Sequence, residues 1–132
     1  LTNLPAALIN TQLIKLDSFI KRRKQIAELY DEIFSHLDNI KIDFENKQDS
    51  CYYRYPVTIS SNVDDVKLKM NESGIQCGYG VLDGLHQILE LDKTKYPNTE
   101  QKLKTVLSLP IYPSLTDNEA CYVAETLIKL LK

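Results

Sequence analysis

The chain has 132 residues, of which 43% are hydrophobic and 26% charged, with 16 basic against 18 acidic side chains and a formal net charge of -2. That is ordinary globular composition with enough length for a real core, which excludes a disordered tail. The charge balance argues against nucleic acid or an anionic membrane as a partner, and no apolar run is long enough to span a bilayer.

The first segment carries the strongest periodicity. Leu8, Ile9, Leu13, Leu16, Phe19, Ile20, Ile26, Ala27, Tyr30, Ile33, Phe34 and Leu37 recur every three or four residues and predict one long amphipathic helix ending near Leu37. Thr2 or Asn3 is the expected cap, and Pro5 suits the first turn. Such a helix exceeds the usual globular range and is expected to bridge two bodies or lie across an interface. Lys21, Arg22, Arg23 and Lys24 point all round it, at about 100° per residue, so they read as solvated side chains, with Arg23 nearest the apolar stripe. The helix signals begin almost at once after Leu1, which is not a Met, as expected of a piece of something longer.

Two strands are expected next. Ile40, Ile42 and Phe44 alternate with polar residues, and so do Tyr53, Tyr55, Val57 and Ile59 within Cys51 to Ser60; Glu45 to Ser50 is the turn between them. Pro56 needs an edge or a bulge on its N–H side. Asn62 should cap a helix with Asp64 and Asp65 in its first turn, Val66, Leu68 and Met70 facing inward, and Gly74 as its stop. Ile75 to Tyr79 reads as a short strand.

Gly78, Gly80 and Gly84 then mark an irregular loop carrying Tyr79, Asp83 and His86. A short helix over Leu85 to Leu91 follows, then one capped by Asn98 or Thr99 and ending near Val106. Ser108 to Pro110 closes the last extended piece, with Pro110 and Pro113 holding the chain around Tyr112, which reads as structural. Thr116 with Glu119 forms a capping box before Val123, Leu127, Leu130 and Leu131. The class is α+β: a long N-terminal helix and a small, mostly antiparallel sheet with helices packed on one face, in one domain over residues 1–132.

Chemistry-bearing motifs are sparse. Cys51, Cys77 and Cys121 are odd in number and widely spaced, with no CxxC, so they read as reduced thiols of a cytoplasmic protein. Nothing local supports a Cys–His pair with His36 or His86. No Gly-rich phosphate loop is present, and no pattern marks one lysine as special. No catalytic, cofactor-binding or metal-binding residue is assigned to this chain.

The wording of three segments is more informative. TNLPAALINTQLIKLDSFIKRRKQIAELYDEIF resembles the start of the C-terminal domain of DegT/StrS-type sugar aminotransferases, with Leu4, Ala6, Ala7, Leu8, Gln12, Leu13, Leu16, Asp17, Arg22 and Arg23 matching. ESGIQCGYG resembles the family's turn after a helix, ahead of a loop ending in Leu85 and His86. YPNTEQKLKTVLSLPIYPSLTDNEACYV resembles the family's ending through Tyr96, Pro97, Asn98, Glu100, Ser108, Leu109, Pro110, Pro113, Leu115, Thr116, Asp117, Glu119, Tyr122 and Val123. The departures are Pro5, Asn10 and the loop GYGVLDGLH, which lacks the family's first histidine and is one residue longer.

The resemblance implies the small domain of a fold-type-I pyridoxal phosphate enzyme, with residues 1–37 as the interdomain helix. The implied partner is an N-terminal large domain that binds the cofactor and supplies its lysine, in a homodimer. The cofactor pyridoxal phosphate belongs to the parent enzyme, and none is expected on this chain alone. The implied reaction moves an amino group from an amino acid, commonly glutamate, to a keto group of a nucleotide-linked sugar, for cell-surface polysaccharide or deoxyamino sugars. Tyr79, Asp83 and His86 are the candidate sugar-pocket residues; the alternative is that His86 caps the short helix and Tyr79 packs. Two other readings stay open: a sugar dehydratase of the same family, and a stand-alone binding module, which an exposed apolar strip on the long helix would argue against.

Overall fold

The computed structural model describes residues 3–42, 47 and 49–132. The elements are α1 (Asn3–Phe34), β1 (Ile40–Lys41), β2 (Tyr55–Ile59), α2 (Val63–Glu72), β3 (Gly78–Tyr79), α3 (Leu85–Ile88), a 3-10 turn (Lys93–Lys95), α4 (Pro97–Thr105), β4 (Val106–Leu109) and α5 (Asp117–Leu130). The strands form one sheet in the order β1-β2-β4-β3, and every neighbouring pair is antiparallel. The α+β class with a small antiparallel sheet is therefore what the chain adopts.

The core lies between one face of this sheet and the helices α1, α2 and α5. Tyr55, Val57 and Ile59 of β2 alternate inward and meet Leu107 and Leu109 of β4, Val63, Val66 and Met70 of α2, and Ala120, Val123, Ala124 and Leu127 of α5. Helix α1 reaches this core only with its last turns, through Ile26, Ala27, Tyr30 and Phe34. Tyr30 is wholly buried; its ring stacks on Phe34 at 5.9 Å and tilts against Tyr55 at 5.0 Å, while its hydroxyl donates to the Pro110 carbonyl at 2.9 Å. Burial pushes its phenol well above the ordinary tyrosine range, so it stays a neutral donor.

The stripe does not end where the core ends. Leu8, Ile9, Leu13 and Leu16 of the stripe all lie exposed on the half of α1 that projects beyond the sheet, as do Leu4 and Ile14 to either side of it. Arg23 lies one turn before Ala27, between Phe19 and the core-facing residues, at the point where α1 leaves the core. Its Nε is buried without a hydrogen bond to any described residue.

Several local expectations hold with their chemistry. The Asn62 side chain accepts from the Asp64 N–H at 2.8 Å and caps α2. Gly74, at φ +77, ends α2: its N–H donates to Asn71 and that of Ile75 to Met70, a pattern that requires the left-handed backbone glycine allows. Thr116 and Glu119 form the reciprocal capping box of α5.

Other expectations are corrected. Helix α1 stops at Phe34, and Asn3 is its first described residue; the Thr2 cap lies outside the described residues, as do Phe44 and, within the expected turn, Glu45, Asn46 and Gln48. Strand β2 begins at Tyr55, because Tyr52 at φ +47 turns the chain, its N–H bonded to the Ser50 hydroxyl, and leaves Tyr53 exposed. The β1 ladder reaches only Thr58 and Ile59, two residues short of Pro56, so among the described residues the proline interrupts no pairing on that side. Leu68 faces outward. Only Gly78 and Tyr79 of the expected third strand pair. Helix α4 starts at Pro97, whose missing N–H suits that position, with Tyr96 as its cap instead of Asn98 or Thr99. Arg22 is not merely solvated: its Nη2 donates to the Leu115 carbonyl and meets Asp117 at 2.8 Å, tying α1 to the start of α5. Helix α4 also departs from the one-sided packing of the other helices, since Lys102 reaches the Thr58 hydroxyl, on the face opposite the core.

Tyr30→Phe removes the only bond described for the Tyr30 hydroxyl while keeping the ring. It should lower unfolding stability by about 1–2 kcal/mol in urea melts with an unchanged slope; an unchanged midpoint would show that the Pro110 carbonyl finds another donor.

Candidate functional site

The loop between β3 and α3 is shaped by close backbone approaches. Gly80 donates to the Val106 carbonyl at 3.0 Å, and a Cβ there would stand 2.1 Å from Val106 Cγ1. Gly84 has an ordinary φ of -76, so conformational freedom is not its purpose. A Cβ at Gly84 would lie 2.4 Å from His86 Cε1 and 2.6 Å from Nδ1, so the imidazole folds back over a space that only glycine leaves open.

His86 is 4% exposed. Its Nε2 lies 2.7 Å from Glu100 Oε1 on α4, the same oxygen that accepts from Gln87 Nε2 at 2.6 Å, and its ring packs 4.9 Å from that of Tyr96. The bonds from His86 and then Gln87 hold the Glu100 carboxyl below the usual carboxylate range. The C-terminus of α3 closes with Glu90 at φ +53, its N–H on Gln87 and that of Leu91 on His86. His86 thus joins the loop to α4.

Tyr79 points elsewhere. Its hydroxyl donates to Asp64 Oδ1 on α2 at 2.9 Å, which raises its phenol pKa, and Lys67 Nζ stands 3.6 Å from its ring centroid. It borders an open cavity of about 380 Å³ with Asp64, Lys67, Asn71 and Cys77. Burial pushes the Cys77 thiol up to about 12, so it is a neutral core group and not a nucleophile. Asp83 is exposed and bonds to no described residue. Around it Leu82, Leu85, Ile88 and Leu89 are exposed as well. The structure therefore sends Tyr79 toward α2, His86 toward α4 and Asp83 into solvent. Tyr112 is half-exposed and borders a second cavity of about 510 Å³ with Pro110, Leu115 and Tyr122.

Sequence reasoning did not single out Glu100 as the partner of His86, although it stands in the quoted Tyr96–Glu100 segment. It also passed over Arg54, whose Nη1 donates to the Tyr79 carbonyl at 3.1 Å. No sequence signal pairs residues so far apart.

The described residues do not build a pyridoxal phosphate site. A Schiff-base lysine needs desolvation or a cationic neighbour to depress its pKa, and no lysine among the described residues is buried. No group of three or more metal-ligating side chains occurs among the described residues. No helix there is long and apolar enough to cross a membrane.

The model of the DegT/DnrJ/EryC1/StrS aminotransferase family matches residues 1–128. A dTDP-4-dehydro-2,3,6-trideoxy-D-glucose 4-aminotransferase of Saccharopolyspora spinosa is 32% identical over 98% of this chain and 34% of its own length. A UDP-4-amino-4,6-dideoxy-N-acetyl-beta-L-altrosamine transaminase of Campylobacter jejuni is 28% identical over 100% of this chain and 37% of its own. Among solved structures, S. venezuelae DesV in complex with a ketimine intermediate superposes with a TM-score of 0.85 at 23% identity, over 96% of this chain and 36% of that one. The chain thus spans about a third of the length of these relatives.

Two substitutions test the loop. Gly84→Ala should displace His86 from Glu100 and cost about 1–3 kcal/mol, with the His86 ring signals shifted in NMR spectra. Glu100→Gln should lower the melting temperature at neutral pH. Because the folded carboxyl titrates below its ordinary 4.5, the stability it contributes is complete above that value and is lost as pH falls through the folded one. The gap between wild type and Glu100→Gln should therefore close in acid; a gap that persists there would assign the effect to packing.

Proposed function

The chain belongs to the DegT/DnrJ/EryC1/StrS aminotransferase family, and from that premise we propose that it is the small domain of a pyridoxal phosphate-dependent enzyme that aminates a nucleotide-linked keto sugar. The amino donor is an amino acid such as glutamate, and the product serves cell-surface polysaccharide or deoxyamino sugar synthesis. The activities of the Saccharopolyspora spinosa and Campylobacter jejuni relatives, named for dTDP- and UDP-linked sugars, support the substrate class. The protein works in the cytoplasm as a homodimer.

The observation that carries this reading is the bare half of α1. Leu8, Ile9, Leu13 and Leu16 form a strip on a helix whose last turns carry the same face into the core through Ile26, Ala27, Tyr30 and Phe34. Scattered exposed leucines need no explanation, but a contiguous strip is a contact surface. The occupant proposed is the cofactor-binding large domain, with α1 as the interdomain helix. The buried, unpartnered Nε of Arg23 at the point where α1 leaves the core is a donor for an acceptor on that domain. The strip also disfavours a stand-alone module.

In this reading the loop from Gly78 to His86 faces the sugar. Asp83 offers a carboxylate to sugar hydroxyls, while His86 and Tyr79 act as positioning residues through Glu100 and Asp64. The cofactor's lysine, and with it the choice between amination and dehydration, belongs to the large domain.

The test uses the full protein carrying this chain, supplied with pyridoxal phosphate, glutamate and dTDP- or UDP-linked 4-keto sugars. Formation of 2-oxoglutarate and a sugar amine, detected by mass, is expected. Dehydrated sugar, or no product from any such sugar, would overturn the reading. In the same protein Leu8→Glu with Leu13→Glu should lower both stability and activity, whereas in the 132-residue chain the pair should change stability by less than about 0.5 kcal/mol.

A further inference from the structure

Pro56, Ser108 and Gly78 stand opposite one another across β2, β4 and β3. Side chains alternate along a strand, and Tyr55, Val57, Leu107 and Leu109 face the core, so this row lies on the other face. Ser108 is only 7% exposed there, yet its hydroxyl bonds to no described residue. Among the described residues Arg23 Nε is the one buried side-chain donor or acceptor without a partner, so the Ser108 hydroxyl still touches solvent and is within reach of a ligand. Gly78 beside it adds no side chain, and a Cβ there would meet only Ser108 Cβ, at 3.6 Å.

Arg54 immediately precedes β2. Its bond to the Tyr79 carbonyl joins β2 to β3, and β4 lies between those strands, so the guanidinium crosses β4. Arg54 is exposed and the core face is filled by Tyr55, Leu107 and Leu109, so it does so on the face of Ser108. Its central carbon also stands 5.7 Å from the ring centroid of Tyr53. The charge is thus held in place, but no carboxylate of a described residue neutralises it, in contrast to Arg22 with Asp117. Only one of its N–H donors has a described acceptor.

We propose that Arg54 and the Ser108 hydroxyl form an oxyanion site on the face of the sheet opposite the core, taking a carboxylate or phosphoryl group of a small molecule. A guanidinium fork matches both groups, and a neighbouring hydroxyl supplies a further donor. The site deepens the proposed function, on which only the source of the anion rests: an amino-acid donor carries a carboxylate and a nucleotide-linked sugar a diphosphate.

The test is an NMR titration of the 15N-labelled 132-residue chain at constant ionic strength, with sodium pyrophosphate in one arm and sodium glutamate in the other. Saturable shifts at Ser108, Tyr79 and the Arg54 Nε are expected in at least one arm. Saturation by pyrophosphate identifies a phosphoryl group, and saturation by glutamate a carboxylate. Arg54→Gln should weaken the effective affinity by about tenfold or more, and Ser108→Ala by a few-fold, each in a chain whose spectrum shows it folded. Shifts that never saturate, or that are the same in both variants, would overturn the proposal. Binding here needs neither cofactor nor turnover, so this site and the aminotransferase reading can fail separately.

Discussion

Tyr30 is the point on which the architecture depends. Its ring joins α1 to β2, and its hydroxyl reaches the carbonyl that follows β4. That single residue registers the long helix against both central strands. Ile26, Ala27 and Phe34 then fill the rest of the contact, and Arg22 pins the helix to the start of α5. The sheet is small, so it can cover only these last turns. A helix of 32 residues is about 48 Å long, and its first half finds no described residue to bury it.

The bare half is therefore a consequence of geometry and not of poor sequence. Burying one leucine or isoleucine contributes about 1.5–3 kcal/mol, so covering even part of the strip outweighs the modest effect of any surface ion pair in this chain. The loop after β3 has the same incomplete character. Its inner side is closed by Gly80 against Val106 and by His86 against Glu100, while its outer side presents Leu82, Leu85 and the exposed Asp83. The first is the face proposed for the large domain, and the second the face proposed for the sugar.

Much of this was legible in the sequence because it is local. The α1 stripe, the Asn62 cap, the Gly74 stop and the Thr116–Glu119 box each depend on residues within a turn or two, where backbone donors must be satisfied. What periodicity does not reveal is which part of a stripe finds a partner: Leu13 and Ile26 look alike in sequence, and only the length of the sheet separates them. Leu68 failed for a different reason: it stands two residues from both Val66 and Met70, about 200° round the helix from each, and α2 buries Val63, Val66 and Met70. The links from Arg22 to Asp117 and from His86 to Glu100 join distant segments and left no pattern to read. The family resemblance did carry the fold class, because its motifs run through the whole chain.

The central claim is that the first half of α1 is a docking face. Hydrogen exchange at the amides of residues 4–18 tests it most directly, measured in the 132-residue chain and in the full protein that carries it. The account predicts near-unprotected exchange in the chain alone and protection of about 100-fold or more in the full protein. Equal, fast exchange in both would contradict it, because the strip would then have no partner to cover it.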